Sequence, residues 1–193
     1  MSEAQAQEAQ EVGCEDFLGK MHKAVKTELR LMGGDVKVYS DVFGTDVYIE
    51  LTNTNVSVVL SCIGDRPRFV ATARAYAFNE FDVFEISAEG DDPEATLKEL
   101  KAKAANMIVA YAKAMLSLAR AMAREASRTR DQLKATAALK ANQLYVWRVV
   151  VNLEALARTL DLEAAGVSYE LDKILKELGD VNDKIYRELM DVD

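Results

Sequence analysis

The chain has 193 residues, half of them hydrophobic, and a formal net charge of −8. This length accommodates one domain, or one compact domain with a helical extension, and the apolar content excludes global disorder. The opening MSEAQAQEAQEV lacks the basic start and apolar run of a secretory signal, and no later stretch reaches roughly 18 uncharged apolar residues. We therefore expect a cytoplasmic protein without a membrane partner, in which residues 1–12 form a disordered tail.

Glycine and proline divide the chain into two halves. Both prolines and seven of the nine glycines lie at or before Pro93, and neither residue type recurs until Gly166. This distribution predicts a small, turn-rich α+β domain over 13–91 and a helical domain over 92–193.

The first half predicts one helix followed by a sheet. Apolar residues at helical spacing mark an amphipathic helix over Cys14–Met32, with Gly33 and Gly34 as its stop. Five β-rich runs follow: Val36–Val42, Val47–Leu51, Val56–Ile63, Phe69–Phe78 and Phe81–Ser87. The breaks between them are too short for crossover helices, so we expect a four- to five-stranded antiparallel meander.

The fourth strand has two different faces. One face carries Phe69 and four alanines, which form a shallow surface for the N-terminal helix and the first turns of the next helix to cover. The other face carries arginines and aromatics: Arg68, Val70, Thr72, Arg74, Tyr76 and Phe78. Such a face can bind single-stranded nucleic acid, but pairing of the arginines with neighbouring acids is the favoured interpretation.

The second half predicts long helices. Asp92 suits an N-cap and Pro93 the first helical position. Heptad-like spacing then gives two helix-association seams, formed by Leu97, Leu100, Met107, Tyr111 and Leu118 in one helix and by Leu171, Ile174, Leu178, Val181 and Ile185 in the last. Ser168 is the expected cap of that last helix. These helices are expected to form a helical hairpin, a bundle or a coiled coil.

The segment between the seams leaves one alternative open. A polar stretch with a Thr129–Gln132 capping box favours a helix break at 126–130, whereas the absence of glycine there supports one continuous helix over 93–164. The β-branched segment Leu144–Val151 has no flanking turns, so it is predicted to be a helix buried on most sides.

The residues that most often carry chemistry have structural interpretations. His22 is the only histidine, and it lacks a recognisable nucleophile partner. The acids from Glu85 to Glu94 do not match an EF-hand, and capping explains Asp92 and Glu94. Cys14 and Cys62 are interpreted as buried or free thiols, with a disulfide of the kind found in hyperthermophile proteins as the alternative. We expect no enzyme activity, no cofactor, no metal and no small-molecule substrate.

A basic helical face is the one constellation suited to a partner. Segment 93–165 has a net charge of +5, between −9 before it and −4 after it. The candidate binding residues are cations, most of them at helical spacing: Lys113, Arg120, Arg124, Arg128, Arg130 and Lys134, with Lys140 and Arg148 beyond them. They suit phosphates, but a solvated face or one paired with acidic segments is favoured.

The sequence therefore predicts a non-enzymatic structural or interaction protein that self-associates through its C-terminal helices, as a homo-oligomer or with a protein partner. The alternative is a nucleic-acid-binding subunit of a nucleoprotein assembly or virion that uses the basic helical face 113–148.

Overall fold

The fold is α+β, as predicted. The computed structural model describes residues 13–30, 35–40, 47–53, 55–64, 68–76, 82–126, 128 and 132–190. A 3-10 turn at Cys14–Phe17 leads into helix α1 (Leu18–Glu28). Five strands follow, β1 (Asp35–Ser40), β2 (Val47–Asn53), β3 (Val56–Ile63), β4 (Arg68–Tyr76) and β5 (Asp82–Gly90). The C-terminal half holds α2 (Pro93–Ala126), α3 (Gln132–Thr159) and α4 (Val167–Met190), with a 3-10 turn at Glu163–Ala165 before α4.

The strands form an antiparallel sheet in the order β1-β2-β3-β4-β5. Each strand pairs with its neighbour in the chain, as expected where short connections leave no room for a crossover helix. The observed strand ends differ from the predicted ones by up to three residues. The predicted tail 1–12, the Gly33-Gly34 stop and Phe78 lie outside the described residues.

The alanine face of β4 is covered by helices. Phe69 and the alanines at 71, 73 and 75 are fully buried. The covering helices are chiefly α2 and α3, whereas α1 packs at the side against β2 and α2. The predicted cover by the helix after Pro93 is thus confirmed, whereas the predicted N-terminal segment reaches this face at its edge, where the Phe17 ring contacts Phe69 edge-on at 5.4 Å between centroids. The small alanine side chains let two long helices lie close to the sheet, so α1 is displaced to its side.

The helix break is confirmed, since α2 ends at Ala126 and α3 starts at Gln132. Thr129 of the predicted capping box lies outside the described residues. The two helices form a hairpin, and α4 packs against both. Two ion pairs show that α4 runs parallel to α2, because both partners advance by seven residues from Lys113–Glu170 to Arg120–Glu177. One hydrophobic cluster includes residues from the sheet and from α1 to α4.

Helix α2 does not bury its residues with heptad spacing. Its buried leucine, isoleucine and alanine positions, in chain order, are Leu97, Leu100, Ala104, Ile108, Ala112, Leu116 and Ala119. Six steps cover 22 residues, about 3.7 residues per step, whereas a left-handed coiled coil needs 3.5. A straight helix drifts away from a heptad seam, which is why Met107 and Leu118 of the predicted seam are exposed and Tyr111 is half-buried.

The start of α2 is capped as predicted, whereas the start of α4 is not. The Ala95 amide donates to Asp92 Oδ2 at 2.9 Å, so Asp92 caps α2. Helix α4 starts at Val167, before Ser168, and the Ser168 hydroxyl is buried without a hydrogen-bond partner. Gly166 supplies the turn instead, with φ of 72°, a left-handed conformation that glycine adopts without a Cβ penalty.

The two cysteines form a disulfide, which corrects the favoured interpretation of free thiols. Their Cα atoms are 5.7 Å apart, and the bond joins the first 3-10 turn to the end of β3. Both residues are fully buried. The sequence could not reveal this pairing because the two cysteines are separated by 48 positions in the chain and are brought together only by the fold.

Candidate interaction surface

Four of the acidic residues between Glu85 and Glu94 have structural partners. Glu85 pairs with Arg74 at 2.8 Å, and Glu89 pairs with Arg68 at 2.7 Å. Glu94 pairs with Lys98 in the first turns of α2, which raises the pKa of that lysine. Glu85, Glu89, Asp92 and Glu94 thus serve in cross-strand pairs, the cap of α2 and a pair within that helix.

The open face of the sheet follows the favoured interpretation. Arg68 and Arg74 lie on it, each paired with an acid of β5. Tyr76 on the same face shares a 2.8 Å hydrogen bond with Ser57, whose side chain is buried. The arginines are therefore engaged in the cross-strand pairing that stabilises antiparallel sheets.

The basic helical face is also partly engaged within the chain. Lys113 pairs with Glu170 at 3.2 Å and Arg120 with Glu177 at 2.5 Å, both across to α4. Arg128, just after the end of α2, pairs with Glu125 in the last turn of that helix at 3.4 Å. Lys113 and Arg120 of the basic helical face thus contribute to the packing of α4 on α2.

The other cations of the basic helical face do not all belong to one helix. The Arg124 guanidinium donates to the Arg120 carbonyl oxygen at 3.3 Å. Arg130 lies outside the described residues, and Lys134 is placed only as part of the backbone of α3. Lys140 and Arg148 are exposed on α3. Among the described cations, Lys113, Arg120 and Arg124 lie on α2, whereas Lys140 and Arg148 lie on α3.

The predicted association seams lie largely inside this one chain. Leu97, Leu100, Leu171, Ile174 and Leu178 are all buried. Val181 is half-buried, and the side chain of Ile185 is outside the described part. Because these side chains pack in the chain's own core, they leave little apolar area for a second molecule.

Helix α3 has exposed apolar side chains. Leu144, Trp147 and Val151 are exposed by 58%, 39% and 36%. Their spacing of three and four residues places them on one side of the helix at about 100° per residue. The core-facing residues Val146, Val149 and Leu153 project from the opposite side. We call Leu144, Trp147 and Val151 the α3 stripe.

The α3 stripe corrects the sequence-based interpretation of Leu144–Val151. That segment is helical, as predicted, but it is not buried on most sides. The signal that was missed is the charge pattern, since Lys140, Glu154 and Arg158 fall on the same side as the stripe. Charged residues in register with apolar ones mark a solvent-facing side.

The opposite side of α3 is anchored to the rest of the molecule. Asn152, which is buried, donates to the backbone carbonyl oxygen of Tyr76 at the end of β4. Tyr145 lies near Tyr111 of α2, whose ring contacts Phe84 edge-on at 5.7 Å between centroids. Burial raises the pKa of Tyr111, and the neighbouring Tyr145 raises it further. These contacts fix the rotation of α3 and therefore the direction in which the stripe points.

No family model, curated protein or solved structure matches the chain. Within the described part of the chain, no helix is both long enough and apolar enough to cross a membrane.

Proposed function

We propose that the protein is a non-enzymatic interaction protein that self-associates through its C-terminal helices. The observation that carries this proposal is the distribution of exposed apolar side chains. Seven of the eight large hydrophobic residues exposed in the described part lie on α2, α3 and α4: Met107, Leu118, Leu144, Tyr145, Trp147, Val151 and Tyr169. A contiguous exposed apolar patch is typical of protein-binding surfaces, and three of these residues, Leu144, Trp147 and Val151, lie on one side of α3.

The charge distribution supports binding between copies. The segment 93–165 is basic, and the segments on either side of it are acidic. Copies of this chain can therefore place opposite charges around an apolar contact, which favours association and fixes its register.

Light scattering coupled to size-exclusion chromatography tests the proposal on the full chain at micromolar concentration. We expect a mass of at least twice the 21.4 kDa of one chain. The association should persist between about 0.15 M and about 1 M salt, because apolar burial is not screened. A single species with the mass of one chain would contradict the proposal.

The alternative of nucleic-acid binding through the basic helical face 113–148 has weaker support. Lys113 and Arg120 already pair with acids of α4. Fluorescence anisotropy with single-stranded and duplex DNA tests it. Binding that falls steeply with salt and disappears when Arg120, Arg124 and Arg128 are all changed to glutamate would favour this alternative. We expect no binding beyond a weak, salt-sensitive component.

A further inference from the structure

Along one face of α3, the α3 stripe is flanked by two opposite charges at equal distances from Trp147. Lys140 and Glu154 lie seven residues before and after Trp147, which is about 10.5 Å on either side at ~1.5 Å per residue. Leu144 and Val151 lie between each charge and the tryptophan. Reversing the helix direction therefore exchanges leucine with valine and exchanges a cation with an anion.

This pattern is complementary to itself in an antiparallel arrangement. A twofold interface brings the same patch of both copies together, so a residue on one side of the axis meets the residue at an equal distance on the other side. A parallel arrangement would instead place Lys140 opposite Lys140 of the partner subunit and Glu154 opposite Glu154 of the partner subunit. Like charges in those positions oppose association.

We propose that a second copy of this chain docks on the α3 stripe, with the two α3 helices antiparallel and the twofold axis beside Trp147. The proposal rests on the proposed function, for which it names the interface. Leu144 packs against Val151 of the partner subunit, and the two tryptophans meet near the axis. Tryptophan at the centre of an interface is a frequent source of binding energy.

The ends of the interface are set by charge. Glu154 is only 14% exposed in its side chain, and it already pairs with Arg158 one turn later on α3. In the antiparallel dimer, Lys140 of the partner subunit approaches the same carboxylate. Each end then holds two cations around one half-buried anion, which fixes the register of the two helices.

The first experiment removes the centre of the interface. Trp147→Asp should weaken dimerisation at least about tenfold, as loss of a central aromatic anchor does. Ile63→Asp is the matched control, since Ile63 is a large hydrophobic residue exposed by 42% at the end of β3, outside the C-terminal helices. Analytical ultracentrifugation gives the dissociation constants, and circular dichroism confirms that both variants keep their helix content.

The second experiment tests the direction of the helices by disulfide trapping. The native cysteines are already paired and buried, so single introduced cysteines report on the interface. A mixture of Leu144→Cys and Val151→Cys copies should cross-link under mild oxidation. Leu144→Cys alone should not, because the two copies of residue 144 are about 9 Å apart along an antiparallel pair centred on Trp147.

The third experiment tests the charge pairing by a double-mutant comparison. Lys140→Glu should weaken the dimer by placing two acids together. Adding it to Glu154→Lys should strengthen the dimer relative to Glu154→Lys alone, because the pair between subunits is restored with its signs exchanged. The disturbance of Arg158 is common to both Glu154→Lys variants and cancels in the comparison.

The outcomes separate the interface from the function. A monomeric wild-type protein would overturn both proposals. An oligomer that tolerates Trp147→Asp would overturn this interface and leave self-association through the helices standing. Cross-linking of Leu144→Cys with itself would show a parallel pair, and an oligomer that dissociates on nuclease treatment would show a nucleic-acid occupant; either result overturns the antiparallel dimer.

Discussion

Gly90, the last residue of β5, lies directly against Thr96 in the first turns of α2. A Cβ at position 90 would be 2.7 Å from Thr96 Oγ1, closer than real Cβ contacts allow. Thr96 cannot easily move, since it is fully buried and its hydroxyl donates to the Asp92 carbonyl oxygen at 2.7 Å. This contact sets how α2 leaves the sheet.

Gly90→Ala should therefore destabilise the protein by about 1–3 kcal/mol through overpacking. Gly179→Ala is the matched control, because a Cβ at this position of α4 meets nothing within 4 Å. Alanine in a helix interior should raise stability by about 0.5–1 kcal/mol there. Urea titrations measure both, and an unchanged stability for Gly90→Ala would contradict the tight contact.

The two faces of β4 should respond differently to leucine. Ala73 is fully buried beneath the helices, so Ala73→Leu should cost about 1–3 kcal/mol. Thr72 is half-buried on the opposite face, and Thr72→Leu should be nearly neutral. Equal losses in a denaturant titration would mean that both faces of the sheet are covered.

Loss of the Cys14–Cys62 disulfide should destabilise the fold by about 2–4 kcal/mol, because the bond closes a long loop in the unfolded chain. The variant with both cysteines changed to alanine should show this loss in thermal unfolding. Wild-type protein heated with dithiothreitol should lose stability similarly, whereas the double variant should not respond to the reductant. A response of the double variant would point to an effect unrelated to this bond.

The Arg120–Glu177 pair should make a small contribution, since both side chains remain partly exposed. We expect Arg120→Glu to cost up to about 1 kcal/mol, and less at high salt. The exchanged variant, with Arg120→Glu and Glu177→Arg, should recover most of the loss. Failure of this recovery in urea titrations would show that the pair does not hold α4 on α2.

Tyr111 should make the stability sensitive to alkaline pH. Burial raises the pKa of Tyr111 in the folded protein above the unfolded value of about 10. The stability that the neutral tyrosine contributes is therefore fully present below about pH 10 and is lost as the pH rises through the folded pKa. Tyr111→Phe should reduce the loss of stability in this range. Tyr169→Phe, at an exposed position, should retain the wild-type pH dependence.

Much of the fold could be predicted because its signals are local. The Asp92 cap, the helix break before Gln132 and the short breaks between strands each act through neighbouring backbone groups. The ion pairs on the open sheet face followed from the alternation of arginine and acid along adjacent strands. The candidate site was harder to predict from the sequence. The segment Leu144–Val151 has the composition of a buried run, and its exposed side is apparent only when the neighbouring charged residues are placed on the same helix face.

The sequence by itself determined the α+β class and the antiparallel connection of the strands, because hydrophobic period and turn chemistry act within a few residues. It favoured a break between α2 and α3 but left one continuous helix over 93–164 open, and the structure decided for the hairpin. Only the tertiary structure decided which side of each helix is buried. Met107 and Leu118 suit a heptad, but a straight helix on a sheet buries Ile108 and Leu116 instead. The pairing of Cys14 with Cys62 and the exposure of Trp147 likewise depend on contacts between segments far apart in the chain.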